Sequence, residues 1–119
     1  MELTEKDLSL VIAVVKALGM DPKPAPDPAS FVPHYEPGNC YFFQTVTAYY
    51  TGRLIRETAG DYFINEASWI PDTGRHSEFM RTGIPSECEP FPATMEVRIP
   101  KGGMIESCAW PYPLPREVK

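Results

Sequence analysis

The sequence has few of the residues on which covalent and metal-dependent sites depend. Among its 119 residues there are three cysteines and two histidines. Cys40, Cys88 and Cys108 form no C-x-x-C pair, and neither His34 nor His76 lies at ligand spacing to another histidine or a cysteine. These counts argue against a disulfide framework and against a zinc site, and an odd number of thiols is typical of a reducing compartment.

The chain also lacks a long apolar run, an excess of basic residues and a glycine-rich phosphate loop. Glu2, Glu5 and Asp7 stand where a signal peptide would be basic, and Gly19 ends the first apolar stretch. We therefore expect no signal peptide, no membrane-spanning helix and a location in the cytoplasm. Eleven basic against sixteen acidic residues give a net charge of −5, which disfavours non-specific binding to a phosphate backbone but leaves room for a local basic pocket. We expect no sequence-specific nucleic-acid partner.

Proline, by contrast, is abundant. The chain has 14 prolines, more than twice the usual share of about 5%, which excludes an all-helical bundle. Six of them fall in one short stretch and predict a stiff, extended connector over residues 21–38. They are Pro22, Pro24, Pro26, Pro28, Pro33 and Pro37.

The proline-rich linker divides the chain into an N-terminal helical part, residues 1–20, and a small β domain, residues 39–119. Thr4 as N-cap and Gly19 as stop predict a helix over residues 4–18. Its apolar residues continue round the cylinder, further than a one-sided surface helix needs. We therefore expect this helix to form a subunit interface in a homo-oligomer.

In the β domain, alternating apolar and polar residues predict five short strands. They cover residues 40–50, 53–58, 62–70, 94–99 and 104–110. Thr51 and Gly52 are expected to form the first turn, and residues 59–61 the second.

Between the third and fourth predicted strands, Thr73 as N-cap and Gly83 as C-terminal stop predict a short helix over residues 74–82. The fold class that follows is α+β. We expect a small five-stranded SH3-like barrel or a curved antiparallel sheet, with an N-terminal helix and a short helix before the fourth strand.

One tripeptide suggests catalysis. Asp72, Thr73 and Gly74 form the tripeptide of aspartic proteases, a mechanism that needs two facing carboxylates sharing a proton. Here Pro71 and Arg75 flank the tripeptide, and a guanidinium beside the pair would hold Asp72 ionised. A turn followed by a helix start explains the same residues.

The thiols are no better placed for catalysis. Cys88 lies between Glu87 and Glu89, which favour the neutral thiol, and Cys40 and Cys108 fall on predicted strands, where we expect them in the core. We therefore predict no catalytic residue, no metal site and no cofactor.

Arginines interspersed with aromatic residues indicate binding instead. All five basic residues between positions 53 and 98 are arginine, and Arg116 follows near the end, with tyrosines or tryptophans close by in sequence. Arginine forms bidentate contacts with phosphate, and aromatic rings stack on bases. The predicted ligand-binding residues are Trp69, Asp72, Thr73, Arg75, Arg53 and Arg116. The alternative is that the arginines pair with Glu57, Glu66 and Asp72 on a solvated face.

Several short motifs resemble a family of small proteins encoded by bacteriophages and prophages, over about residues 40–119. The most specific block runs from Glu66 to Arg75. The weaker motifs are Tyr41-Phe42-Phe43 with Thr45-Val46-Thr47, Thr51-Gly52-Arg53, Glu89-Pro90-Phe91 and Leu114-Pro115-Arg116-Glu117. The N-terminal helix and the linker lie outside the shared pattern, and Pro71 stands where the pattern has a small residue.

The resemblance implies a phage origin, and hence the host cytoplasm, but no particular activity. By analogy with small phage proteins that act on host defence, the leading hypothesis is a non-enzymatic protein that sequesters a small nucleotide-derived anion. A second hypothesis is a protein–protein module, either an inhibitor of a host defence protein or a minor phage assembly component. A third is a hydrolase of the same nucleotide class.

Overall fold

The computed structural model describes residues 31–119. The predicted helix over residues 4–18, the interface expected of it and the prolines up to Pro28 lie outside the described residues. Within the described part, an antiparallel sheet and one short helix form an α+β domain. The elements are β1 (Cys40–Thr45), β2 (Tyr49–Glu57), β3 (Asp61–Asp72), α1 (His76–Thr82), β4 (Glu87–Pro90), β5 (Val97–Pro100), a 3-10 turn (Lys101–Gly103) and β6 (Met104–Ala109).

The longest strand, β3, organises the sheet. It pairs with β2 along one edge, while β4 and β5 share its other edge. The strand order is β4-β3-β2-β1-β6, with β5 beside the first half of β3. The sheet does not close, so the prediction of a barrel is wrong and the prediction of an antiparallel sheet is confirmed.

The first hairpin turn is not where the sequence predicts it. Thr51 and Gly52 lie inside β2, and the chain turns between Thr45 and Ala48. The Thr45 hydroxyl accepts the N–H of Ala48 at 3.0 Å and donates to its carbonyl at 3.1 Å, which stabilises a turn without glycine. The second turn, between Thr58 and Asp61, lies where the sequence predicts it.

The strand count and the helix start also differ from prediction. A sixth strand, β4, was not predicted; only four residues long, it carries Cys88 between two exposed glutamates. Helix α1 begins at His76, and its N-cap is Arg75, with no side-chain cap, rather than Thr73. Its C-terminal stop is confirmed: Gly83 adopts the left-handed conformation, at φ 72°.

Both faces of the sheet are covered. On the first face, seven residues form a core, and Tyr35 and Phe91 pack against it; the seven are Tyr41, Phe43, Leu54, Tyr62, Ile64, Ala67 and Ile99. On the second face, α1 and the chain after β6 bury another core, formed by Phe42, Ile70, Phe79, Cys88 and Trp110. Adjacent residues of β1 point to opposite faces, which explains why three consecutive aromatic residues are all buried.

Two segments without regular secondary structure pack against the two faces of the sheet. Residues 31–38, which the sequence assigns to the linker, pack against the first face, where the Tyr35 ring stacks on Tyr41 with centroids 4.1 Å apart. The segment after β6 crosses the second face and ends beside β4, where Cys88 and Lys119 exchange two backbone hydrogen bonds. No helix among residues 31–119 has the length and apolar character needed to cross a membrane.

Candidate functional site

Two of the predicted ligand-binding residues, Trp69 and Arg53, lie on opposite faces of the sheet. Trp69 in β3 is the direct partner of Tyr50 in β2, which packs on the first-face core. Arg53 is the direct partner of Cys40 in β1, which packs on the second-face core. Because directly opposed residues of an antiparallel pair share a face, these two side chains do not meet in one pocket.

The predicted residues near α1 form a self-contained turn. The Gly74 N–H donates to Asp72 Oδ1 at 2.7 Å, and the Thr73 hydroxyl donates to the Gly74 carbonyl at 3.0 Å. Gly74 has a φ of 75°, which few other residues tolerate. The Asp72 carboxylate thus closes its own turn. This agrees with the explanation of the tripeptide as a turn before a helix rather than as a protease motif. Arg75 follows with an exposed side chain.

Arg116 has a structural role in this geometry. Its Nη1 donates to the Ala67 carbonyl, and its Nη2 donates to the Phe91 carbonyl at 2.6 Å. The guanidinium therefore joins the C-terminal segment to β3 and to the segment after β4. Two of its nitrogen atoms are committed to backbone carbonyls, which leaves less of the group for an anion.

Most of the remaining arginines pair with carboxylates. Among the described residues, four ion pairs involve arginine: Arg53 with Glu66, Arg56 with Glu96, Arg81 with Glu78 and Arg98 with Asp61. The Arg53–Glu66 pair agrees with the alternative stated from the sequence, in which arginines pair with Glu57, Glu66 and Asp72. The partners of the other three arginines differ from those expected. Since each cation is matched by an acid, this surface is closer to a solvated, ion-paired face than to an anion pocket.

Residues 31–119 contain three recesses worth comparing. The largest, about 500 Å³, lies between the end of α1 and the C-terminal segment and includes Tyr112, Leu114 and Arg116. A second, about 300 Å³, contains Arg53 beside Tyr41 and Trp110. Arg53 and Arg116 therefore line different recesses, while Trp69, Asp72, Thr73 and Arg75 line none of the three.

The third recess, about 280 Å³, is a groove on the first face of the sheet, and we call it the sheet groove. It lies between the β1–β2 turn and β5. Its apolar lining is Val46, Tyr50, Phe91, Val97 and Ile99, and Thr45 and Thr47 are polar residues of the same lining. Tyr50 and Phe91 stand with ring centroids 6.5 Å apart, within the range of favourable aromatic pairs.

Exposed apolar side chains extend the sheet groove on both sides. Val46 is 72% exposed, and Trp69, the cross-strand partner of Tyr50, is 42% exposed. Tryptophan and tyrosine anchor protein interfaces more often than other residues do. The Arg98 side chain points to the other face, because its cross-strand partner Phe63 alternates with Tyr62 and Ile64 of the first-face core.

A buried charged cluster holds residues 31–36 against the sheet. The Glu57 side chain, 1% exposed, accepts the Lys101 ammonium at 2.6 Å and the N–H groups of His34 and Tyr35 at 2.8 and 2.9 Å. Burial raises the pKa of Glu57, but these donors outweigh burial and hold that pKa below its ordinary value. Burial, with the Glu57 charge and Tyr35, raises the pKa of Tyr62 to about 12.

The thiols do not form a nucleophilic site in the described residues. Burial raises the pKa of Cys40 more than Arg53 lowers it, so the neutral thiol is favoured. Cys88 is buried, and Cys108 is exposed on β6, contrary to the expected core position. Within residues 31–119 no three histidine, cysteine or acidic side chains gather as a metal site would require.

Sequence reasoning missed the sheet groove. In the sequence, Tyr50 and Trp69 stand out only as neighbours of arginines along the chain, because a turn at Gly52 implies the wrong strand register. A signal was present: Tyr50 and Trp69 are aromatic residues in predicted strands, and Phe91 follows Glu89-Pro90. Pairing them requires the register, which the pattern alone does not fix.

The described fold defines a class: a small α+β domain with an open antiparallel sheet and an apolar groove on one side. Comparison of the chain with family models, with curated proteins and with solved structures finds no match. The geometry of the site therefore carries the functional inference that follows.

Proposed function

We propose that this chain is a non-enzymatic binding protein whose sheet groove binds another protein. One observation carries the proposal: an aromatic and aliphatic groove is open to solvent on a rigid sheet, with Val46 and Trp69 exposed beside it. Exposed apolar surface of this kind, bordered by polar residues, marks interaction sites in globular proteins. Strands β2 and β5 hold Tyr50, Val97 and Ile99 in the sheet, so the groove is formed before a partner arrives.

This proposal reverses the order of the two leading hypotheses from the sequence. Capture of a nucleotide-derived anion needs arginines and rings around one recess, whereas five of the six arginines in residues 31–119 are paired with carboxylates or backbone carbonyls, and the sixth, Arg75, lines none of the three recesses. A protein partner needs an apolar anchor site with a polar border, and the sheet groove has both.

The chemistry of the groove indicates the chemistry of its partner. An apolar side chain of the partner would fill the space between Tyr50, Phe91 and Val97. The phage resemblance of the sequence supports a role in the host cytoplasm, with the chain acting as an inhibitor of a host defence protein or as a minor phage assembly component.

A matched pair of valine substitutions tests the groove. Val46 and Val118 are 72% and 74% exposed, and only Val46 lines the sheet groove. We expect Val46→Asp to weaken binding of the captured host protein at least about tenfold, because a charge would enter the apolar contact. We expect Val118→Asp to bind like the original chain.

The measurement is stoichiometric capture from a bacterial host lysate, followed by titration of the identified partner against each variant. Both variants are first checked for an unchanged unfolding transition, since neither position is buried. Equal affinity for the partner in the two variants would rule out the sheet groove as the binding site.

A second candidate function, sequestration of a small nucleotide-derived anion, is favoured by the Arg53 recess. Arg53 Nε donates to Glu66 at 2.5 Å and Nη1 donates to the Gly38 carbonyl at 2.7 Å, which leaves Nη2 for an anion beside Tyr41 and Trp110. Isothermal titration with cyclic nucleotides and cyclic ADP-ribose isomers tests it. Heat that disappears in Arg53→Ala supports this candidate, and recovery of the bound molecule intact excludes a hydrolase.

A further inference from the structure

The edges of the sheet are protected unequally. The outer edge of β4 is covered where Cys88 and Lys119 exchange backbone hydrogen bonds. The outer edge of β5 is short and ends at Pro100, which has no N–H to offer. The outer edge of β6 is six residues long, contains no lysine, arginine or proline, and has no partner strand in the described part of the chain. An edge of this kind is a template for another strand.

The hydrogen-bond pattern shows which groups of β6 face outward. The Trp110 N–H donates to the Cys40 carbonyl at 2.9 Å, so Cys40 and Trp110 form a hydrogen-bonded pair. Because such pairs alternate along an antiparallel ladder, Cys108 and Glu106 also bond toward β1. The N–H and C=O groups of Ser107 and Ala109 therefore point away from β1.

We propose that the β6 edge pairs with the β6 edge of a second copy of this chain, antiparallel and about a two-fold axis at Cys108. In this register, Ser107 of each copy forms a hydrogen-bonded pair with Ala109 of the other, which uses all four outward groups of each strand. Cys108 then stands opposite its own counterpart, and the two sheets become one.

The side chains favour this register over its neighbours. A two-fold axis at Glu106 would place two carboxylates directly opposite each other, at the closer spacing of a non-hydrogen-bonded pair. An axis at Ser107 would need regular backbone at Ile105, where the pairing with β1 is interrupted by a bulge. The axis at Cys108 avoids both and brings together two small, uncharged, exposed side chains.

The proposal is independent of the sheet groove and of the interface predicted for residues 4–18. It predicts a homodimer of the full chain that is held by backbone hydrogen bonds of β6. It also predicts that the two Cys108 thiols are close enough to be cross-linked, since Cα atoms in such a pair lie about 4.5 Å apart and disulfides span about 4.4 to 6.8 Å.

The first experiment measures the dimer in solution by analytical ultracentrifugation of the full chain, with reducing agent, across a wide range of concentration. Ser107→Pro removes the outward N–H without removing a bond to β1, and by symmetry it removes two hydrogen bonds from the dimer. We expect the dissociation constant to rise about tenfold or more. Ser107→Ala loses the Tyr35 hydroxyl contact of 2.6 Å but keeps the N–H, so it controls for that contact and should dimerise normally.

The second experiment tests the register and needs no proline. A short thiol-specific cross-linker should join two original chains through Cys108, should still join them in Cys40→Ala, and should fail in Cys108→Ala. Glu106→Cys in the Cys108→Ala background should also fail, because each residue 106 would face residue 110 of the other copy.

The outcomes separate the alternatives. A protein that stays monomeric at all concentrations overturns the proposal. So does a dimer that persists in both Ser107→Pro and Ala109→Pro and is not cross-linked through Cys108. Either result leaves the N-terminal interface or a foreign strand as the partner. Cross-linking of the Glu106→Cys variant in the Cys108→Ala background also overturns it, because the two-fold axis would then lie at position 106.

Discussion

Gly52 lies in the middle of β2 because the side chain of Ile64 fills the space above it. A Cβ atom at Gly52 would lie 2.7 Å from Ile64 Cδ1 and 3.2 Å from the Asn65 carbonyl oxygen. Ile64 is fully buried, so it has little room to move. The glycine is therefore required by packing between strands and not by a turn.

We predict that Gly52→Ala lowers the free energy of unfolding by about 1 to 3 kcal/mol, the usual cost of overpacking a well-filled core. Gly60 provides the control, because a Cβ atom there meets nothing within 4 Å and Gly60 lies in the second turn. Chemical denaturation of both variants gives the measurement. If Gly52→Ala were as stable as Gly60→Ala, Ile64 would not be held over Gly52 as described.

The segment from residue 110 to residue 119 acts as a structural element although it has no regular secondary structure. Trp110 packs on Phe42 and Phe79, and the Tyr112 hydroxyl donates to the Met80 carbonyl at 2.6 Å. The Tyr112 ring also lies directly over Gly83, where a Cβ atom would approach it within 2.5 Å. The segment thereby covers α1 and the second face of the sheet.

Arg116 also holds the C-terminal segment against the sheet, and we expect its planar guanidinium to be required for the stability of the fold. We predict that Arg116→Lys lowers the free energy of unfolding by about 1 to 3 kcal/mol, because lysine lacks the two separate, coplanar nitrogen donors that reach the carbonyls of Ala67 and Phe91. Arg75→Lys, at an exposed position, should leave stability unchanged. A denaturation curve for Arg116→Lys that matches that of Arg75→Lys would mean that Arg116 is available for a ligand after all.

At the scale of strands, helices and turns, local sequence patterns predict where an element lies better than they predict which strands pair. The alternation in β1, the second turn and the stop at Gly83 depend on neighbouring residues, and their predictions are confirmed. The position of Gly52 depends on Ile64, and β4 depends on pairing with β3 and with Lys119, so neither has a local signal. A turn misplaced by a few residues is enough to change every cross-strand partner.

The candidate site is less predictable than the fold because its contacts are distant in sequence. Arg56 pairs with Glu96, and Arg116 binds the carbonyl of Ala67, contacts that span 40 and 49 residues. Nothing near these arginines indicates whether they face a ligand, an acid or a backbone carbonyl. The aromatic residues in and beside the sheet groove are visible in the sequence, but their convergence is not.

At the scale of the whole domain, Glu57 connects three parts of the chain that are distant in sequence. It lies at the end of β2, binds Lys101 after β5, and accepts backbone N–H groups of the segment that enters the domain at residues 31–36. His34 Nδ1 lies 3.5 Å from the same carboxylate and 3.2 Å from the Tyr62 hydroxyl. Loss of the Glu57 charge should therefore loosen the entering segment as well as remove one ion pair.

We predict that Glu57→Gln lowers the free energy of unfolding at neutral pH by about 1.5 to 3 kcal/mol, because Lys101 would keep its charge in a mostly buried position without its partner.

The pKa of Glu57 is depressed in the folded state, so its contribution is complete above the ordinary value of 4.5 and is lost as the pH falls from there through the folded pKa. The unfolding free energy of the original chain should therefore decline through that acid range, and the decline should be smaller in Glu57→Gln.

Glu96→Gln is the matched control, since its pair with Arg56 is equally short but exposed, and it should change stability at neutral pH far less. Denaturation curves collected over a series of pH values give both results, and amide exchange at residues 34 and 35 shows whether the entering segment is released with the charge. Parallel pH curves for the original chain and Glu57→Gln would show that the buried carboxylate does not hold these three parts together.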